Sequence, residues 1–518
     1  FAINRKSVNI TGTRQYDGTT NIAAADISSI TDTVNSEVLT MSGGLGTTTS
    51  ANVGAYNLVN TSQGTLTLAN GPSGANQGLA SNYTLTGGTQ DYTITQRVLT
   101  SSGSKTYDAN TNALAADITL SNLVSGEALN HSGTAAISSA NAGSYTITNL
   151  AGITIADGSG GAASNYTLTG GTHNFTVNPK VISLSGSRLY DATTDAVASD
   201  LTTISGLVGS ETLNLSGTGS VTNANVASNK TVTLGTLALA DNSGLAANYT
   251  LSGGTHQLTI NQRPLAATVA RQYDGTKTAA GSDLSSFDAL QGGETLTLSG
   301  SGTVGDENVA NGQGITLGTL ALVDGTGLAS NYSLNSASLN ITERVLNSSG
   351  SKTYDANTNA LAGAITLSNL VSGEALNHSG TASISSANAA SYTITNLAGI
   401  TIADGSGGTA SNYTLTGGTH NFTVDRRVVG VSGTRLYDAT TNAVASDLST
   451  HTNLVGTETL NLSGTGTIAS KNVGSNKTVS VGTLALADGS NGGLAANYTL
   501  SGGTHQLTVN QRPLNATL

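Results

Sequence analysis

The chain contains no cysteine and no tryptophan, one methionine, and four prolines in 518 residues. Without cysteine there is no disulfide framework, no thiol chemistry and no Cys-ligated zinc. Small extracellular modules often rely on disulfides; here sheet closure and contacts with neighbouring modules have to serve instead. Charge is scarce too. Only 9% of residues are charged and the net charge is −11, so the basic footprint that nucleic acid requires is missing. Aromatics make up 4%, and no apolar run approaches the roughly 18 residues of a membrane-spanning helix. There is no nucleophile elbow, phosphate loop or pair of catalytic carboxylates. The chain reads as a non-enzyme without a cofactor.

What is abundant is glycine, 65 residues, with Ser, Thr and Asn. Low-complexity disorder lacks regular apolar residues, yet here Leu, Val, Ile, Ala and Tyr recur in alternation and keep time with a repeat. Six times a basic residue is followed, eight positions later, by a second basic residue and then by x-Tyr-Asp-Gly/Ala. The first basic residues are Lys6, Arg97, Lys180, Arg263, Arg344 and Arg427. The motifs proper are Arg14-x-Tyr16-Asp17, Lys105-x-Tyr107-Asp108, Arg188-x-Tyr190-Asp191, Arg271-x-Tyr273-Asp274, Lys352-x-Tyr354-Asp355 and Arg435-x-Tyr437-Asp438. A second marker, Asn-Tyr, keeps the same beat at Tyr83, Tyr166, Tyr249, Tyr332, Tyr413 and Tyr498. Repetition overrides the three or four domains that length alone suggests.

The spacing divides the chain into repeats at 13–97, 98–180, 181–263, 264–344, 345–427 and 428–512. Residues 1–12 read as the end of a preceding module plus a first strand, and 513–518 as the start of another. We therefore expect a piece of a longer array whose end strands are disordered or associate end to end. A longer beat is visible as well: the second and fifth repeats are nearly identical at an offset of 247, as are the third and sixth. A cassette of three was duplicated.

Within a repeat, Leu265, Ala267 and Val269 alternate as a strand does. Gly103, Gly186, Gly350 and Gly433 precede the motif, and glycine inside a strand suggests a bulge. Tyr-Asp-Gly/Ala is a turn; alanine at Ala109, Ala192, Ala356 and Ala439 argues against an obligatory left-handed residue there. Ala113 to Ile118 fits one helical turn or a short strand. The parity flip across Gly235 predicts a bulge, and Gly253-Gly254 between two alternating runs predicts a hairpin. Six or seven short strands with turns every eight to twelve residues predict an all-β, Ig-like β-sandwich, with a one-sheet β-grasp-like module as the alternative. Because no flexible linker separates the repeats, six sandwiches are expected to form an elongated rod.

Six copies of one constellation point to architecture rather than to a catalytic site. The motif tyrosine is expected to close the core edge while its Arg or Lys pairs with a carboxylate. Aspartate turns at Asp157, Asp241, Asp324, Asp404 and Asp488 offer one carboxylate each, too few for calcium unless other side chains join. His173, His256, His420 and His505 share one position and read as core-edge residues. Asn-Tyr-Thr/Ser fits the glycosylation sequon, but the phase of the tyrosine predicts a partly buried position.

With both motifs recurring in phase, the whole chain resembles the YDG and MBG-type repeats of very large secreted bacterial proteins similar to filamentous haemagglutinin. The resemblance implies an extracellular adhesin exported by a two-partner pathway, its repeats forming a stalk in adhesion, aggregation or biofilm. Neighbouring repeats, other copies of the chain and surface or matrix glycans are the candidate partners. Two readings stay open: a spacer that projects a binding tip, and multivalent repeats that bind carbohydrate or protein weakly. Only Tyr56, Tyr92, Tyr145 and Tyr392 are spare for sugar stacking, which favours the spacer.

Overall fold

The computed structural model describes residues 1–57, 63–394 and 396–514. The chain divides into two compact units, Phe1–Asn261 and Gln262–Leu518, and each contains three of the repeats. Every module is all-β. Short 3-10 turns are its only helical segments among the described residues.

The fifth module shows the plan. One sheet orders Ile365–Ser368, Asn347–Thr353, His420–Asp425 and Ala390–Thr393; the other orders Asn359–Leu361, Asn377–Ser383 and Ile400–Ala403. Apolar residues from both sheets meet in one core: Ile365, Phe422 and Val424 from the first, Ala360, Ala382 and Ile400 from the second. Alternation along each strand puts these side chains on one face and Ser, Thr and Asn on the other. Residues 112–121 of the second module use both of the readings left open for them: strand Asn112–Leu114, 3-10 turn Ala115–Asp117, then strand Ile118–Ser121.

The central pair of the first sheet is parallel. In the second module Ser101–Thr106 runs beside His173–Asn178, and the near-identical fifth module repeats the register with Ser348–Thr353 beside His420–Asp425. The expected Gly-Gly hairpin does not form. Tyr249–Thr250 pairs in parallel with Lys180–Val181, and His256–Asn261 continues in the same direction beside Leu184–Leu189. The Gly253-Gly254 segment is an excursion between two stretches that follow one split partner strand. The fourth module has no Gly-Gly after its Asn-Tyr marker, and there Tyr332–Thr342 is a single strand paired with Arg263–Gln272.

Three other local expectations are corrected. At Gly235 there is no bulge but a tight turn, Leu237 N–H to Leu234 O at 2.8 Å, with Gly235 at φ 53°. It carries the chain from Ala227–Thr231, in the first sheet, to Ala238–Ala240, in the second. The four pre-motif glycines are required by close approach: a Cβ on Gly103 would lie 2.4 Å from Asp117 O, and one on Gly186 only 1.8 Å from Asp200 O. The parallel ladder runs through both without a shift. The third motif residue is left-handed in all six copies, at φ 78° for Gly18, 72° for Gly275 and 60–66° for Ala109, Ala192, Ala356 and Ala439. An alanine there costs about 1 kcal/mol, so the surrounding turn imposes the conformation.

Residues 1–5 and 511–514 form no strand, and the remainder of the strand expected at 513–518 lies outside the described residues. In the first module Tyr92 takes the place that Phe175 and Phe422 hold in its sisters. It is 1% exposed, and its hydroxyl has no hydrogen-bond partner among the described residues. A buried unsatisfied hydroxyl costs about 1 kcal/mol or more. Tyr92→Phe is therefore expected to stabilise the first module by about 1 kcal/mol, read as slower amide exchange there; faster exchange would contradict it.

The joint between modules as candidate functional site

Each Tyr-Asp motif is a closed turn. Asp17 Oδ1 accepts the Thr19 N–H at 2.9 Å, Asp108 that of Asn110 at 3.1 Å, and Asp438 that of Thr440 at 2.9 Å. The basic residue two positions before the tyrosine seals the turn. Arg14, Arg188, Arg271 and Arg435 each pair with the motif aspartate and donate to the carbonyl of Thr19, Thr193, Thr276 or Thr440. Lys105 and Lys352 reach Asp108 and Asp355 at 2.9 and 2.8 Å. Their shorter reach goes with Asn110 and Asn357 in place of Thr, whose side-chain oxygens also accept from Nζ at 2.8 Å. Burial alone would raise the Asp108 carboxyl, but the bonds from Lys105 and Asn110 outweigh it and hold it below the usual carboxylate range. The alternation of the strand does not turn the basic side chain out. Leu265, Ala267, Val269 and Arg271 share the inward parity of one strand, and the guanidinium bends over the edge to its aspartate.

Beyond this turn the motif tyrosine leaves its own module. Tyr16 of the first donates to Glu127 of the second at 2.5 Å, and Tyr166 of the second donates to the other carboxylate oxygen at 2.7 Å. The same bridge recurs as Tyr107–Glu211–Tyr249, Tyr273–Glu374–Tyr413 and Tyr354–Glu458–Tyr498, with every bond between 2.6 and 2.7 Å. In each joint the two rings meet edge to face with centroids 5.3–5.4 Å apart. Such pairs add about 0.5–1.5 kcal/mol beyond area burial. The remaining marker tyrosines, Tyr83 and Tyr332, donate to Glu37 and Glu294 of their own modules. Tyr190 is buried and Tyr437 half-buried.

The asparagine of the Asn-Tyr marker adds a second lock. Asn165 accepts the Val53 N–H at 2.8 Å and donates to Asn52 Oδ1 at 2.9 Å. Asn248 repeats this with Ala142 and Asn141, Asn412 with Val309 and Asn308, and Asn497 with Ala389 and Asn388. These four sequon nitrogens are thus bonded and buried inside joints. The spare tyrosines support the same loops: Tyr56, Tyr145 and Tyr392 donate to the carbonyls of Asn52, Asn141 and Asn388.

Burial first, then the hydrogen bond to Glu127 and its charge, push the Tyr16 phenol up to about 12. Glu211 and Glu458 act with burial in the same way on Tyr107 and Tyr354, each also about 12. Unfolded tyrosine ionises near 10. A raised folded value means that the stabilisation is complete below pH 10 and is lost as pH climbs towards about 12. The denaturation midpoint is expected to fall through that window, and Tyr→Phe changes at the joints should flatten the fall. A midpoint independent of alkaline pH would refute it.

The remaining motifs are accounted for locally. His173 and His420 bond Ser101 and Ser348 through Nδ1, while His256 and His505 accept N–H groups of Leu184 and Val431 there. All four donate Nε2–H to a leucine carbonyl at 2.8 Å. Asp157, Asp241, Asp324, Asp404 and Asp488 each accept the N–H that opens the following 3-10 turn. Among the described residues no group of three or more metal-ligating side chains occurs, and no helix is long and apolar enough to cross a membrane.

The bridging glutamates and partner asparagines escaped the sequence reading, although a signal existed. Six of the chain's eight glutamates, Glu37, Glu127, Glu211, Glu294, Glu374 and Glu458, occupy one repeat position.

No curated protein matches the chain. Among solved structures, Drosophila N-cadherin EC1-4 aligns at 7% identity over 82% of this chain and 99% of that one, but with a TM-score of 0.12, which carries no argument. The YDG domain model matches five times, at residues 93–175, 174–260, 255–341, 340–420 and 425–506. The five Tyr-Asp motifs inside those matches seal their own turns, Tyr107, Tyr273 and Tyr354 among them reach into the next module, and the chain belongs to the YDG domain family.

Proposed function

We propose that this YDG array is the structural stalk of a secreted bacterial surface adhesin, spacing a binding tip away from the cell in adhesion, aggregation or biofilm. On this reading it is no enzyme, takes no cofactor and acts outside the cell. One observation supports it above the rest: the residues that define the repeat are spent on joining one module to the next. Tyrosine, glutamate and asparagine side chains that could hold a ligand instead hold a neighbour.

The competing reading, multivalent carbohydrate- or protein-binding repeats, loses its best aromatic candidates. The hydroxyls of Tyr56, Tyr145 and Tyr392 are bound to backbone, and Tyr92 is buried. Glycan arrays and matrix-protein panels probed with the 518-residue chain are expected to show no saturable binding. Saturable binding that strengthens with the number of modules would replace the stalk by the multivalent reading.

A further inference from the structure

We infer that each YDG module is a mechanical clamp, so that the array is built to carry tension. The argument rests on which strands are first and last. The chain enters a module along its first long strand and leaves along its last, and the two are paired side by side in parallel. The ladder joins Ile10–Gln15 to Gln90–Thr95, Ser101–Thr106 to His173–Asn178, and Leu184–Leu189 to His256–Asn261. It recurs between Ser348–Thr353 and His420–Asp425 and between Val431–Leu436 and His505–Asn510. In the fourth module it lengthens to Arg263–Gln272 beside Tyr332–Thr342.

Tension on the chain pulls the start of the first strand one way and the end of the last strand the other. In a parallel pair those points lie at opposite ends of the ladder. The load is therefore shear along the strands, and all rungs share it. Had the same two strands been antiparallel, both points would lie at one end, and the rungs would open one at a time. Forced unfolding is governed by the barrier to that first rupture rather than by equilibrium stability. A ladder broken as a unit gives a higher barrier than one peeled rung by rung.

Side chains reinforce the entry end of the ladder. Ser101 binds His173 at 2.9 Å and Ser348 binds His420 at 2.9 Å, each across the clamp. At the other end the tyrosine N–H extends the pairing. Tyr107 bonds Asn178 O, Tyr190 bonds Asn261 O and Tyr437 bonds Asn510 O, all at 2.9 Å. The sealed Tyr-Asp turn follows immediately, so the exit from the first strand is pinned by an ion pair as well.

This inference rests on the stalk reading, since a stalk transmits load. Single-molecule pulling on the full chain tests it, using terminal cysteines as handles; no native cysteine competes. One high-force event per module is expected, each releasing about 300 Å of extended chain, from roughly 83 residues at about 3.6 Å per residue. A second arm attaches the handles at Gln262→Cys and Ser330→Cys. These exposed positions lie together at one end of the fourth module's clamp, with Gln262 Nε2 3.2 Å from Ser330 O, so pulling there peels the ladder. Peeling is expected at several-fold lower force than end-to-end pulling. Equal forces in the two geometries, or end-to-end unfolding without discrete high-force events, would overturn the clamp. The two readings fail separately. Saturable ligand binding removes the stalk and leaves the force asymmetry untouched, whereas lost asymmetry with blank arrays removes only the clamp.

Discussion

Glu127→Ala is expected to loosen two modules at once. The side chain accepts hydrogen bonds from Tyr16 of the first module and Tyr166 of the second, and both phenols are buried, 5% and 1% exposed. Removing the carboxylate leaves two buried donors without an acceptor, at about 1–3 kcal/mol each, so the loss should total about 2–6 kcal/mol. Glu127→Gln keeps one acceptor oxygen and should fall between. Tyr16→Phe removes the bond to Glu127 but leaves the carboxylate in place, and should cost about 1 kcal/mol. An array of six modules does not unfold in two states, so the readout has to be local. Amide exchange in peptides around Tyr16 and Tyr166 should accelerate, while the corresponding peptides of the fourth to fifth module joint, at Tyr273 and Tyr413, stay unchanged. Unaltered exchange around both Tyr16 and Tyr166 would mean that the bridge contributes nothing.

Gly186→Ala is expected to disrupt the third module alone. A Cβ there would sit 1.8 Å from Asp200 O and 2.8 Å from Leu201 Cα. Both are backbone atoms of the 3-10 turn and the residue that follows it, so no side-chain rotation can relieve the clash. Moving that backbone should cost about 3 kcal/mol or more. Gly433 has the same 1.8 Å approach to Asp447 O, and its alanine variant should do the same to the sixth module. Gly363→Ala is the control, with nothing within 4 Å of its new Cβ. The near-identical second module already carries Ala116 at that position. Rapid exchange or proteolytic nicking confined to the third module is the expected result for Gly186→Ala. A variant as protected as the parent would show that the turn can shift freely. In the fourth module Val269 stands in place of the glycine, and its pairing with the neighbouring strand shifts register between Thr268 and Val269.

What the sequence made legible was what is local or periodic. The beat of Tyr16, Tyr107, Tyr190, Tyr273, Tyr354 and Tyr437 gave six modules, and alternation along Leu265, Ala267 and Val269 gave a strand buried on one face. The Asp turns followed from short-range bonding that aspartate carries into any chain. What stayed hidden depended on partners far away. Parallel pairing has no local signature, so Gly253-Gly254 passed for a hairpin although the strand beside His256–Asn261 lies some 70 positions earlier. Glu127 meets Tyr16 across 111 positions, and only folding brings them together. Gly186 was noticed but given the wrong reason, because a bulge and a close backbone contact both call for the same residue.

The repeated joint has one more consequence. The first module meets the second through Tyr16, Glu127 and Tyr166, and the fourth meets the fifth through Tyr273, Glu374 and Tyr413, with matching bonds. The interface is heterologous: the face that presents the motif tyrosine differs from the face that presents glutamate, and neither closes on itself. Unequal recombination between near-identical cassettes can then add or delete whole blocks, and each new seam inherits a matched pair of faces. Array length becomes a property that selection can change in a single genetic step, with no new contact to invent.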